Sequence, residues 1–134
     1  MHHLSALLVF GAVAWMPAAL GSECFAIRDE DRRNACLASA ENDESYCFKI
    51  RSADLRNACL APLKGETYGC FKIQDADARE ACLGETKGES WSCFKVRDAD
   101  QRNACLAEVN ADRSRCFKIQ SDDLQKDCLA NTPR

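Results

Sequence analysis

Residues 47–61 read CFKIRSADLRNACLA, and the pattern of this stretch, Cys47 to Ala61, returns in five copies along the chain. Cys24, Cys47, Cys70, Cys93 and Cys116 lead the copies at intervals of 23 residues without an insertion. Cys36, Cys59, Cys82, Cys105 and Cys128 each follow their leader by 12 residues. Phe25, Phe48, Phe71, Phe94 and Phe117 stand directly after the leading cysteines, then Ile27, Ile50, Ile73, Val96 and Ile119 two residues on. Leu37, Leu60, Leu83, Leu106 and Leu129 follow the second cysteines. A period in this range marks an array whose units bury their apolar faces against their neighbours.

Within a copy the residues predict two helices with a break between them. Asp29, Ser52, Asp75, Asp98 and Ser121 stand five residues after the leading cysteine and are good N-caps. Such side chains accept from an orphan amide of the first turn. Asp31, Asp54, Asp77, Asp100 and Asp123 fall inside that turn, where negative charge suits the helix dipole. The long helix then runs through the second Cys-Leu pair. Asn42, Gly65, Gly88 and Ala111 mark its exit, and Pro62 is expected to stop it early in the second copy. The shorter helix carrying the next Cys-Phe-x-Ile has about two turns and would not persist alone in water.

A covalent tie is therefore expected across each hairpin: Cys24–Cys36, Cys47–Cys59, Cys70–Cys82, Cys93–Cys105 and Cys116–Cys128. With the turn between them, the two positions lie level on antiparallel helices, within the bridging range of about 4.4–6.8 Å. The alternative phase, Cys36 to Cys47 and onward, would strand Cys24 and Cys128 at opposite ends of an open array. A bridge closing about a dozen residues contributes up to about 3 kcal/mol on the chain-entropy account. The fold class expected is all-α, a short solenoid-like array of five disulfide-stapled 23-residue helical hairpins over residues 22–134. Its core is expected to hold Phe, Ile, cystine, Leu and Ala. Departures at the ends, Ala26 in place of Lys, Gln125 in place of Arg and Asp127 in place of Ala, suggest polar capping units.

Residues 1–21 read as a signal peptide. Leu4 to Leu20 form an uncharged, mostly apolar run, and Ala19-Leu20-Gly21-Ser22 fits cleavage after Gly21. The segment before it has His2 and His3 but no Lys or Arg. An exported chain meets an oxidising compartment, where thiols pair, so a periplasmic or secreted location and no stable membrane insertion are expected. The motif Cys-Phe-x-Ile-x-Asp/Ser-x-Asp-x-Arg-x-x-Cys-Leu, covering residues 24–134, resembles the cysteine-paired helical-hairpin repeats of uncharacterised exported bacterial proteins. That resemblance implies an exported helical repeat and brings no activity with it.

Chemistry is constrained by what the repeat lacks. Both histidines lie at positions 2 and 3, so residues 22–134 offer no Ser-His-Asp or Cys-His nucleophile system and no imidazole ligand. The acid pairs such as Asp29/Asp31 and Asp98/Asp100, with Ser as the first member in two copies, lack the glycine and distal glutamate of an EF-hand and are read as helix caps. No Cys-x-x-Cys occurs, so no metal site and no cofactor are expected, with copper(I) sequestration by thiolates as the alternative. Net charge is -3, which gives no field to attract nucleic acid. Arg33, Arg56, Arg79 and Arg102 share the cysteine stripe and are expected to bond the carbonyls that end the short helix, or else to line an anion site.

Two features point to partner contact. Tyr68 and Trp91 share a unit position where other copies have Ser45 and Ser114; such aromatics dominate binding hot spots and equally suit a hydrophobic filler between loops. Lys49, Lys72, Lys95 and Lys118 form a ladder on the short helix, read as its solvated face or else as a basic stripe for an acidic partner. The expected function is a non-enzymatic, exported, rigid module that binds a protein or envelope partner. An inhibitor of a secreted enzyme, using the loop Gly65 to Tyr68 or Gly88 to Trp91, is a further alternative.

Overall fold

Every one of the five expected N-caps forms its bond. The side chains of Asp29, Ser52, Asp75, Asp98 and Ser121 accept from the amides of Arg32, Leu55, Ala78, Gln101 and Leu124 at 2.8–3.4 Å. The long helices they open are α1 (Glu30–Glu41), α2 (Ala53–Lys64), α3 (Ala76–Lys87), α4 (Ala99–Asn110) and α5 (Asp122–Asn131). This computed structural model describes residues 22–133; the leader expected at 1–21 lies outside the described residues. The first four long helices end on left-handed residues, Asn42, Gly65, Gly88 and Ala111. Pro62 does not shorten α2, which runs on to Lys64 like its equivalents. Proline there removes a single ladder bond in the last turn, too little to end the helix.

Between the long helices lie short ones: Ser22–Ala26, Glu44–Lys49, Thr67–Lys72 and Arg113–Lys118 are 3-10 helices, and Ser90–Cys93 is one α-turn. All ten cysteines pair within their own units, with Cα–Cα distances of 5.5–5.6 Å. The all-α array of five disulfide-stapled hairpins is thus present, with no strand among the described residues.

The array closes on itself. Asp31 in the first turn of α1 accepts from the amides of Arg51 and Ser52, the residues that lead into α2, both at 3.0 Å. Asp54 does the same to Gln74 and Asp75, Asp77 to Arg97 and Asp98, and Asp100 to Gln120 and Ser121, at 2.9–3.2 Å. Asp123 of the last unit accepts from Arg28 and Asp29 of the first, both at 3.0 Å. Because each clamp joins one helix start to the next, the five long helices run parallel around a ring. The short helices form an outer layer, each seated between its own long helix and the preceding one. The terminal units are therefore neighbours rather than caps.

The core lies between these layers and differs from expectation in one respect. The cystines and Ile27, Ile50, Ile73, Val96 and Ile119 are buried, but Phe25, Phe48, Phe71, Phe94 and Phe117 are 60–70% exposed. In a 3-10 helix, residues three apart share a face. Cys24 and Ile27 point inward together and the phenylalanine between them is turned outward, and the same holds at the α-turn of unit 4 with Cys93, Val96 and Phe94. Small residues complete the inner contact: Ala38, Ala61, Gly84, Ala107 and Ala130 occupy one unit position and are all buried.

Candidate functional site

Two surfaces carry side chains that the scaffold does not use: the lumen of the ring and its outer wall. The lumen is lined by one stripe of each long helix at spacings i, i+3 and i+7, which lie on one face. Nearest the helix starts, Arg32, Leu55, Ala78, Gln101 and Leu124 form one layer. Ala35, Ala58, Ala81, Ala104 and Asp127 form the next. Toward the helix ends come Ser39, Pro62, Glu85 and Glu108, with Asn131 as the fifth. A cavity of about 180 Å³ on the helix-start side and one of about 310 Å³ beyond it share Ser39, Pro62, Glu85 and Glu108 as common wall.

Three lumen carboxyls hold their protons unusually well. Glu85 is pushed up to about 7, first by loss of water and then by the charge of Asp127. Glu108 is raised well above the usual glutamate range by burial, then by the Glu85 charge. Glu85 and Glu108 line the same stretch of lumen wall, so charge on Glu85 disfavours charge on Glu108. Both sit in the last turn of their helices, where the negative end of the dipole also disfavours the ionised form. Asp127 is pushed up to about 6 by burial, against the pull of Arg32 and a hydrogen bond from Asn131. The Arg32 guanidinium lies 3.8 Å from the Asp127 carboxylate, and Asn131 Nδ2 donates to Asp127 at 2.8 Å. Among the described residues no group of His, Cys, Asp or Glu is arranged to hold a metal ion.

The outer wall bears the residues singled out from the sequence. Tyr68 is 70% and Trp91 53% exposed, in adjacent units. Lys72 lies 4.4 Å over the Tyr68 ring, Lys95 4.1 Å over Trp91 and Lys49 4.9 Å over Tyr46. Lys118, also exposed, has no aromatic at the corresponding places, which hold Ser114 and Arg115. Trp91 Nε1 donates to Glu89 Oε2 at 2.6 Å, which fixes the ring. The turns at Gly65 and Gly88 pass directly into the next short helix within a few residues. They do not form projecting loops.

The arginine ladder belongs to the scaffold. Arg33, Arg56, Arg79 and Arg102 donate to the carbonyls of Ile27, Ile50, Ile73 and Val96 at 2.6–2.9 Å, and Gln125 takes that place in the last unit by donating to Ile119. The second aspartate of each copy also does more than face a dipole. Paired backbone amides hold Asp31, Asp77 and Asp123 below the ordinary aspartate value. The lumen acids went unnoticed as a group in the sequence, and Asp127 points inward rather than marking a polar end face. Family models, curated proteins and solved structures offer no match to this chain. Five disulfides fit an oxidising compartment, and no described helix is long and apolar enough to cross a membrane.

Proposed function

We propose that this chain is an exported, non-enzymatic binding module, a covalently stapled ring that presents its outer wall to a protein partner in the periplasm or outside the cell. The observation that carries this is the aromatic cluster on units 3 and 4. Tyr68, Phe71, Trp91 and Phe94 all stand more than half exposed on a wall fixed by cystines behind it. Large aromatics on a rigid support lose little conformational freedom on binding, which is the economy that hot spots exploit. Thiolate sequestration of copper is the weaker reading, because all ten sulfurs are engaged in disulfides.

The test is affinity co-purification from the native envelope fraction with two baits, the wild-type ring and a Tyr68→Ser/Trp91→Ser variant. Serine is the residue the chain itself places there in units 2 and 5 (Ser45 and Ser114), so the fold is retained. A protein held by the wild type and lost with the variant supports the proposal. Equal recovery by both baits, or none by either, removes it.

A further inference from the structure

Units 2 to 5 each carry an acid, a phenylalanine and a lysine in that order on the outer wall, and units 3 and 4 add a second large exposed aromatic between acid and phenylalanine. Unit 3 reads Glu66, Tyr68, Phe71, Lys72, and unit 4 reads Glu89, Trp91, Phe94, Lys95. In each, an acid stands at the N-cap position of the short helix, a base at its end (Lys72) or two residues past it (Lys95), and two aromatics lie between them. Tyr68 and Phe71 are three apart, as are Trp91 and Phe94, so each pair shares the outward face of its short helix. Glu66, Lys72 and Lys95 are exposed, and Glu89 is partly so. This order reads as its own complement when reversed: acid and aromatic meet aromatic and base.

We infer that this wall docks a second copy of the chain, in a two-fold dimer whose axis lies in the interface, perpendicular to the short helices. Such an axis sets unit 3 opposite unit 3 of the partner and unit 4 opposite unit 4, with the short helices antiparallel. Glu66 then faces the second copy's lysine of the same unit, and Glu89 does likewise, while Tyr68 packs on phenylalanine and Trp91 on phenylalanine. An isologous interface demands self-complementarity of this kind. An acidic partner would want a uniformly basic wall, and here each short helix carries one sign at each end.

The neighbouring units limit the contact. Units 2 and 5 keep the acid, phenylalanine and lysine but have Ser45 and Ser114 at the second aromatic position, and unit 1 has Ala26 in place of the lysine. The paired aromatics are therefore confined to one side of the ring, which gives a closed pair rather than a growing sheet. The inference rests on the reading of this wall as the binding surface and names one occupant for it.

Two charge variants test it by sedimentation equilibrium across a range of protein concentrations. One is Lys72→Glu/Lys95→Glu; the other is Glu66→Lys/Glu89→Lys. Wild type is expected to show a reversible dimer at twice the chain mass. Each variant alone brings like charges together and is expected to weaken association by at least about tenfold. An equimolar mixture of the two restores opposite charges at all four sites and is expected to recover the dimer, a result that misfolding cannot produce. A wild type that is monomeric throughout overturns the dimer, as do variants that associate as tightly as wild type, or a mixture no tighter than its parts. If the ring is monomeric yet Tyr68→Ser/Trp91→Ser still loses an envelope protein, the dimer falls and the binding module stands.

Discussion

Four of the five joints in the ring are made between units that the peptide chain already connects; the fifth, between unit 5 and unit 1, is made without it. The clamp at that seam is the same as elsewhere, Asp123 bonding the amides of Arg28 and Asp29 as Asp31 bonds those of Arg51 and Ser52. What differs is the surrounding set of residues. Lys126 Nζ donates to Ala26 O at 3.1 Å, Arg32 meets Asp127, and Asn131 Nδ2 approaches Cys36 Sγ at 3.6 Å. Lys126 and Asp127 stand where other units carry Asn or Glu and Ala. The common joint is thus built from repeated residues, and several departures from the repeat gather where chain connectivity is missing.

The hardest way to break that equivalence is to remove a staple on either side of it. Cys116→Ala/Cys128→Ala next to the seam and Cys70→Ala/Cys82→Ala across the ring should each lower stability to denaturant by about 2–3 kcal/mol. In a closed ring the two losses agree within about 1 kcal/mol, since both units have two neighbours. An end unit that frays at little cost would show the seam to be open.

The lumen couples the seam to the opposite side of the ring. Glu85 keeps its proton up to about pH 7 in the folded chain but ionises from its ordinary value of 4.5 once unfolded. Between those values the folded state binds more protons, so stability falls as pH rises. Asp127 acts in the same sense between 3.8 and about 6. Asp31, Asp77 and Asp123, held low, act oppositely and lose their contribution as pH drops through and below 3.8. The stability maximum is therefore expected on the acid side of neutrality. Glu85→Gln should raise stability above pH 7 by roughly 1–3 kcal/mol and flatten the profile. A melting-temperature series against pH reads both, and an unchanged slope would count against a buried acid pair.

Smaller changes compare single joints. Asp123→Asn should speed amide hydrogen exchange at Arg28 and Asp29 several-fold, and along the facing edges of α1 and α5. Asp54→Asn should act only at Gln74 and Asp75, where the chain holds the units together. The least effect belongs to Ala111, whose φ of 51° is a left-handed conformation that Gly65 and Gly88 meet without strain. Ala111→Gly should stabilise the ring by about 0.5–1 kcal/mol in a thermal melt, against the usual cost of glycine.

Much of this scaffold is legible because the repeat states it five times. The caps at Asp29 through Ser121, the cystine pairs and the arginine bonds to the short-helix carbonyls all follow from positions that scarcely vary. Closure does not follow, because no single residue declares the large rotation per unit, a fifth of a full circle, that brings the last copy beside the first. The pairing of Cys24 with Cys36 does not need Cys24 and Cys128 to lie far apart, as an open array would place them, since their units are neighbours; the hairpin geometry alone decides it. The outward phenylalanines are found beside the α-turn of unit 4 as beside the four 3-10 segments, and so short a helix does not declare in sequence which side it buries. The lumen acids sit at the least uniform stripe, where Ser39, Pro62, Glu85, Glu108 and Asn131 share one unit position. That irregularity was the available signal.

Since the joint without a peptide link has the same clamp as the four that have one, the ring has no privileged starting point. The backbone break at present falls between units 5 and 1, but any of the left-handed turns at Asn42, Gly65, Gly88 or Ala111 occupies an equivalent place. Circular permutation would relocate the termini around the circumference while each cystine stayed intact. The order of units along the chain is thus separable from the shape they make together.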